Sequence, residues 1–194
     1  ITGGTSGIGR KTCHTYAEEG AIPIILVRNR EKAHKMADEI SAMGSEGVVV
    51  VGDCSQKKAC ERVVAFSLAK YGRIDIMVHN AAPYTDGSAV MPFLEQTQEV
   101  WEENVNVILW GAIYLTWQVL PHMFEKKFGR LIYICSDAGR EGDPYQAVYA
   151  ACKAGLVGFM KSMAHYGGRK NVLANVVSPA LTLTDENADM INTV

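Results

Sequence analysis

The chain has 194 residues, 48% of them hydrophobic and 21% charged, with a net charge of −2. That length suits one domain with a substantial core, and charges of mixed sign leave no basic footprint for nucleic acid. Five scattered cysteines without a CxxC pair, and isolated histidines, argue against a disulfide framework or a metal site; reduced thiols fit a cytoplasmic protein.

The opening "ITGGTSGIGR" sets Gly3, Gly7 and Gly9 in a turn leading into a helix that runs to Gly20. Glycines permit a tight turn and let backbone N–H groups approach a phosphate at a helix N-terminus. Many αβ turns, however, need glycine for positive φ alone. Such turns follow a strand, and only Ile1 and Thr2 precede this one, so the chain is expected to start partway through its first strand. "IPIILV" (22–27) reads as the second strand. "REKAHKMADEISAMG" then puts Ala33, Met36, Ala37, Ile40 and Met43 on one helical face. The unbroken valines of "GVVVVG" (47–52) predict a strand buried on both faces.

A helix follows over about 57–71, then the strand "IDIMVH" (74–79) and a loop rich in turn residues. The helical pattern over about 97–126, interrupted at Pro121, holds the most apolar window, "VILWGAIYLTWQVL". That window is shorter than the roughly 20 residues a bilayer needs and carries Thr and Gln, so it predicts a buried helix and no membrane span. "GRLIYIC" (129–135) is a strand, "AVYAACKAGLVGFMKSMAHY" a helix, and "NVLANVV" (171–177) the last strand. Six strands alternating with helices predict a single α/β domain over residues 1–194. Its form is a Rossmann-type, doubly wound parallel sheet with helices on both faces.

"TGGTSGIG", "GD" (52–53), "HNAA" (79–82), "YAACK" (149–153) and "SPA" (178–180) fall in order at the ends of successive strands. Together they resemble the short-chain dehydrogenase/reductase family, whose members carry TGxxxGxG, an Asp after the third strand, NNAG, YxxxK and a proline-glycine motif. The resemblance covers residue 1 to about 184. It implies a full first strand before the glycines and further helices and a seventh strand after the proline motif, so both ends of the fold are expected to be incomplete here. It also implies an oxidoreductase that interconverts a secondary alcohol and a ketone with a nicotinamide cofactor.

By the same resemblance Gly3, Thr5, Ser6, Gly7 and Ile8 belong to the cofactor's Gly-rich turn. Asp53 accepts from the adenine amino group with the Cys54 backbone beside it, and Asn80, Ala81 and Ala82 line the adenosine ribose. Pro179 and Thr184 approach the nicotinamide carboxamide. The family's NNAG reads HNAA here, with His79 for Asn and Ala82 for Gly. At the end of the second strand, Val27 stands where NAD-preferring members show an acid, and Arg28 follows. An acid would repel a 2′-phosphate and an Arg can fork onto it, so NADP(H) is expected over NAD(H). The plainer reading makes Arg28, Arg30 and Lys32 a solvated helix start.

Tyr149 and Lys153 are four apart on a predicted helix and share a face. Ser136, thirteen residues before Tyr149, stands where the family has its catalytic serine. Hydride transfer to a carbonyl must be matched by a proton delivered to its oxygen. A tyrosine near 10 lies about three units too high for that work at neutral pH, roughly 4 kcal/mol, which an ammonium at about 4 Å supplies. The expectation is therefore Tyr149 as proton donor or acceptor, Lys153 lowering its pKa and holding the nicotinamide ribose, and Ser136 bonding the substrate oxygen.

The family's active-site Asn position holds Ile108. Asn104 one turn away, a helix bulge bringing Asn106 into place, or a different relay are the open readings. Loops at about 83–96 and 137–146, with Arg140, Glu141, Asp143 and Tyr145 among them, would shape the substrate pocket. The family also implies a homodimer or homotetramer through helices near 97–126 and 146–166. The alternatives are an NAD(H)-dependent enzyme of the same kind and a catalytically inactive nucleotide-binding homologue.

Overall fold

The computed structural model describes residues 1–83 and 90–184. Residues 84–89 of the expected substrate loop, and 185–194, lie outside the described residues. In chain order the elements are α1 (Gly7–Glu18), β1 (Ile24–Val27), α2 (Arg30–Ala42), β2 (Val48–Val51), α3 (Lys57–Tyr71) and β3 (Ile76–His79). A 3₁₀ turn at Phe93–Glu95 leads to α4 (Gln98–Asn104), a π-turn (Val105–Trp110) and α5 (Gly111–Lys126). β4 (Gly129–Ile134), α6 (Ala138–Glu141), α7 (Ala147–Gly167) and β5 (Val172–Val177) complete it. The loop expected at 137–146 thus contains the short helix α6.

All strand pairs are parallel. Ile24–Val27 lie residue for residue against Val48–Val51, and β4 lies between β3 and β5. Thr2 bridges Leu26 on one side and His79 on the other. That single residue joins both halves, giving the order β2–β1–Thr2–β3–β4–β5. β1 begins only after Pro23, which has no N–H to give a neighbouring strand.

The sheet is covered on both faces, as unbroken β-branched strands require. Along β1 the faces alternate. Leu26 joins Val63, Met77, Ile108, Leu115 and Leu156 in one cluster, while Ile25 and Val27 join Cys13, Met36 and Ile40 in the other. The helix Gln98–Lys126 is long and apolar enough to cross a membrane by length and composition, but half of its apolar window is buried inside the fold. Pro121 does not interrupt it, contrary to expectation. The ring forfeits only the bond to the carbonyl of Trp117, a residue on the exposed face. The break in α-helical winding is the π-turn, one turn before α5.

Candidate active site

A cleft of about 770 Å³ opens at the carboxyl ends of the strands, flanking Thr2 where the strand order reverses. That crevice is where open α/β sheets take their ligands. A smaller apolar cavity of about 440 Å³, lined by Ile24, Val63 and Met77, lies at the opposite end of the sheet from the Ser136–Tyr149–Lys153 group.

One wall of the cleft is the opening turn. Gly3 and Gly7 hold left-handed φ values of 65° and 46°, and a Cβ on Gly3 would lie 3.0 Å from the Cα of Ala81. Only glycine meets both demands at Gly3. Ser6 precedes α1 in an extended conformation and its side chain makes no cap hydrogen bond, and the helix N-terminus at Gly7 and Ile8 lines the cleft. Thr5 and Ser6 line the same wall. These are the features a pyrophosphate requires.

Asp53, Cys54, Asn80 and Ala81 line the next stretch. One Asp53 oxygen accepts the Ser55 N–H at 2.9 Å, and Asn80 Nδ2 donates to the Gly3 carbonyl at 3.0 Å. Asn80 thereby ties β3 to the turn. Arg28 also lines the cleft, with Asn29 and Lys32, whereas Arg30 does not. Asn29 caps α2 by accepting the Lys32 N–H at 2.9 Å. The sequence reading missed the places of Asn29 and Lys32, although Asn before "REK" is a legible cap signal.

Ser136, Tyr149 and Lys153 meet at the other end, beside Pro179 and Thr184. The Ser136 hydroxyl follows β4 and accepts the Ala138 N–H at 3.2 Å. The Asp137 N–H donates to the Pro179 carbonyl at 3.1 Å, which ties the proline segment to the serine. Lys153 is only 2% exposed; its Nζ donates to the Ile134 carbonyl at 2.7 Å and lies 5.4 Å from the Tyr149 ring centre. Burial pushes the Lys153 ammonium down to about 8. Burial pushes the Tyr149 hydroxyl up, opposed by its hydrogen bond with Ser136.

The expected lowering of Tyr149 is therefore not what this geometry gives. A lone phenolate and a lone ammonium are each penalised by desolvation, and only the pair of charges compensates.

His79, which stands where the family's motif has Asn, is a buried connector. It is 1% exposed, with Nδ1 3.1 Å from the Thr2 hydroxyl and Nε2 3.1 Å from the Ile108 carbonyl. The Thr2 oxygen already accepts the Asn80 and Ala81 N–H groups, so its proton goes to Nδ1 and Nε2–H donates to Ile108. Burial pushes His79 down to about 3, which keeps this neutral tautomer. The position that lacks the family's Asn thus contributes a backbone carbonyl.

The π-turn does not bring Asn106 inward: Asn106 is exposed, while Asn104 is 3% exposed. Asn104 Nδ2 donates to the Val100 carbonyl at 2.8 Å, and its Oδ1 has no hydrogen-bond partner in the described structure. Of the expected substrate residues, Glu141 and Asp143 line the cleft, and Arg140 and Tyr145 do not.

The family model described as short chain dehydrogenase matches residues 1–193. The BbsD subunit of (2S)-((R)-hydroxy(phenyl)methyl)succinyl-CoA dehydrogenase from Thauera aromatica is 36% identical over 95% of this chain and 72% of its own. The L-sorbose reductase of Gluconobacter frateurii, solved with NADPH and L-sorbose, superposes with a TM-score of 0.90 at 26% identity, covering 98% of this chain and 71% of that one. An NAD⁺-bound xylitol dehydrogenase superposes with a TM-score of 0.87 at 26% identity, covering 92% and 68%.

Proposed function

The chain belongs to the short-chain dehydrogenase/reductase family of oxidoreductases, and from that premise we propose an NADP(H)-dependent enzyme that interconverts a secondary alcohol and a ketone. The observation that carries the reading is one cleft with the Gly3–Gly7 turn and Arg28 at one end and Ser136, Tyr149 and Lys153 at the other. The Gly-rich turn and the N-terminus of α1, both on the cleft wall, fit a pyrophosphate. Asp53, Cys54, Asn80 and Ala81 would flank the adenosine, and Pro179 and Thr184 the carboxamide. When bound, the nicotinamide supplies or receives the hydride.

The chain's own residues handle the proton. In reduction, the Ser136 hydroxyl donates to the carbonyl oxygen of the substrate and Tyr149 Oη delivers the proton to it. The phenolate left behind is stabilised by the Lys153 ammonium, whose place is fixed by the Ile134 carbonyl. In oxidation, Tyr149 takes the proton back. Lys153 Nζ would also hold the nicotinamide ribose.

Arg28 and Lys32 on one wall supply the cations a 2′-phosphate requires, and the L-sorbose reductase relative was solved with NADPH. A second reading, NAD(H), is supported by the NAD⁺-bound xylitol dehydrogenase relative. Fluorescence titration with NADPH and with NADH separates them: much tighter NADPH, weakened selectively by Arg28→Ala, supports the first. Equal binding, or tighter NADH, overturns it. A reducing, cytoplasmic setting is supported by five cysteines that are all free and buried.

A further inference from the structure

Arg28 does not stand alone at the adenosine end. Its Nη1 lies 3.2 Å from Oε1 of Glu103, which is 75 residues away in sequence, at the end of α4. Both side chains are about half exposed, so the pair is a surface ion pair that can open. The neighbouring acid on α4, Glu102, is engaged by Gln98 Nε2 at 2.7 Å. Glu103 is held in place because the next residue, Asn104, is buried and immediately precedes the π-turn. Arg28 meanwhile reaches into the cleft, where its charge acts on Cys54 beside Asp53.

We infer that Glu103 is a cofactor-specificity residue: it competes with the 2′-phosphate of NADP(H) for the Arg28 guanidinium and so narrows the margin over NAD(H). The inference rests on the NADP(H) reading. A 2′-phosphate must take Arg28 away from a carboxylate, whereas a 2′-hydroxyl makes no such demand. Glu103 contacts neither the reacting atoms nor the Ser136–Tyr149–Lys153 group, so its effect is confined to the adenosine end.

The test is a cycle of four proteins, unaltered, Glu103→Gln, Arg28→Gln and the double variant, each titrated with NADPH and with NADH by quenching of protein fluorescence. Releasing an exposed pair is expected to tighten NADPH about two- to fivefold in Glu103→Gln and to leave NADH within about twofold. That gain disappears in the Arg28→Gln background. If Arg28→Gln weakens NADPH selectively but Glu103→Gln changes nothing, or if the gain persists undiminished without Arg28, the competition is overturned and the NADP(H) reading stands. If Arg28→Gln affects both cofactors equally, the NADP(H) reading fails and the inference with it. Unchanged melting temperatures in all four proteins exclude a folding effect.

Discussion

Tyr149, partly buried on the cleft wall, and His79, fully buried beside Thr2, both titrate away from their ordinary values, with different consequences. On the proposed mechanism Tyr149 keeps its proton until a substrate oxygen takes it. Tyr149→Phe removes that proton and little else, since the ring packs as before. Turnover of a ketone should fall by about 10²–10⁴-fold, while NADPH binding stays within about twofold; retained turnover would remove Tyr149 from the mechanism. For His79 the consequence is stability. The unfolded chain binds a proton below about 6.5, whereas the folded imidazole binds one only near 3. Its contribution is therefore complete above 6.5 and is lost as pH falls through that window, at up to about 1.4 kcal/mol per unit. The carboxylates held below their ordinary range, Glu39 among them, act in the same direction, so the difference between proteins is the useful quantity. Urea unfolding at pH 7, 6 and 5 should show a shallower loss in His79→Gln than in the unaltered protein. Parallel slopes would mean that His79 is not buried neutral.

Two loop segments near the cleft are tied together through Gln96. This buried side chain donates through Nε2 to the carbonyls of Met91 and Tyr145, both at 3.0 Å, and accepts the Trp101 indole N–H at 3.0 Å. It holds the segment before α4 against the segment before α7. Gln96→Ala leaves those partners unsatisfied at about 1 kcal/mol each, a loss of about 2–3 kcal/mol in denaturant unfolding. KM for the substrate should rise more than kcat falls, because the proton-transfer residues lie elsewhere. None of this was readable from Gln96 as a letter in a turn-rich loop, since its partners are 5 and 49 residues away. The strands and helices were readable because their apolar periods are local and repeat. Strand ends shifted by one or two residues, as at Pro23. The π-turn was only one of three open readings, because apolar residues at 105, 107, 108 and 109 satisfy an α-helical stripe equally well. The convergence of the sequence-chosen cofactor and catalytic residues on one cleft followed from their common place at strand ends, which topology brings to one side.

At the scale of the whole molecule, α7, which carries Tyr149 and Lys153, also carries exposed small residues, and α5 with the π-turn before it carries a partly exposed aromatic pair. Trp110 is 44% exposed at the end of the π-turn and stacks on Tyr114 with ring centres 5.4 Å apart. On α7, Ala151, Ala154 and Gly158 are exposed at helical spacing, on the side away from buried Cys152 and Leu156. Exposed small residues at helical spacing, together with a partly exposed aromatic pair, suit helix-on-helix packing between copies. We propose a dimer or tetramer through this face. The same helix α7 presents Tyr149 and Lys153 inward, so association would brace the reacting side chains from behind. Sedimentation should show the unaltered protein at two or four times the chain mass, and Trp110→Glu should move it toward one. If the face only braces α7, the variant retains its far-ultraviolet circular dichroism and cofactor affinity while kcat falls in step with the loss of assembly. A monomeric unaltered protein, or full kcat in a monomeric variant, would separate the uncovered face from catalysis and leave the cleft complete within one chain.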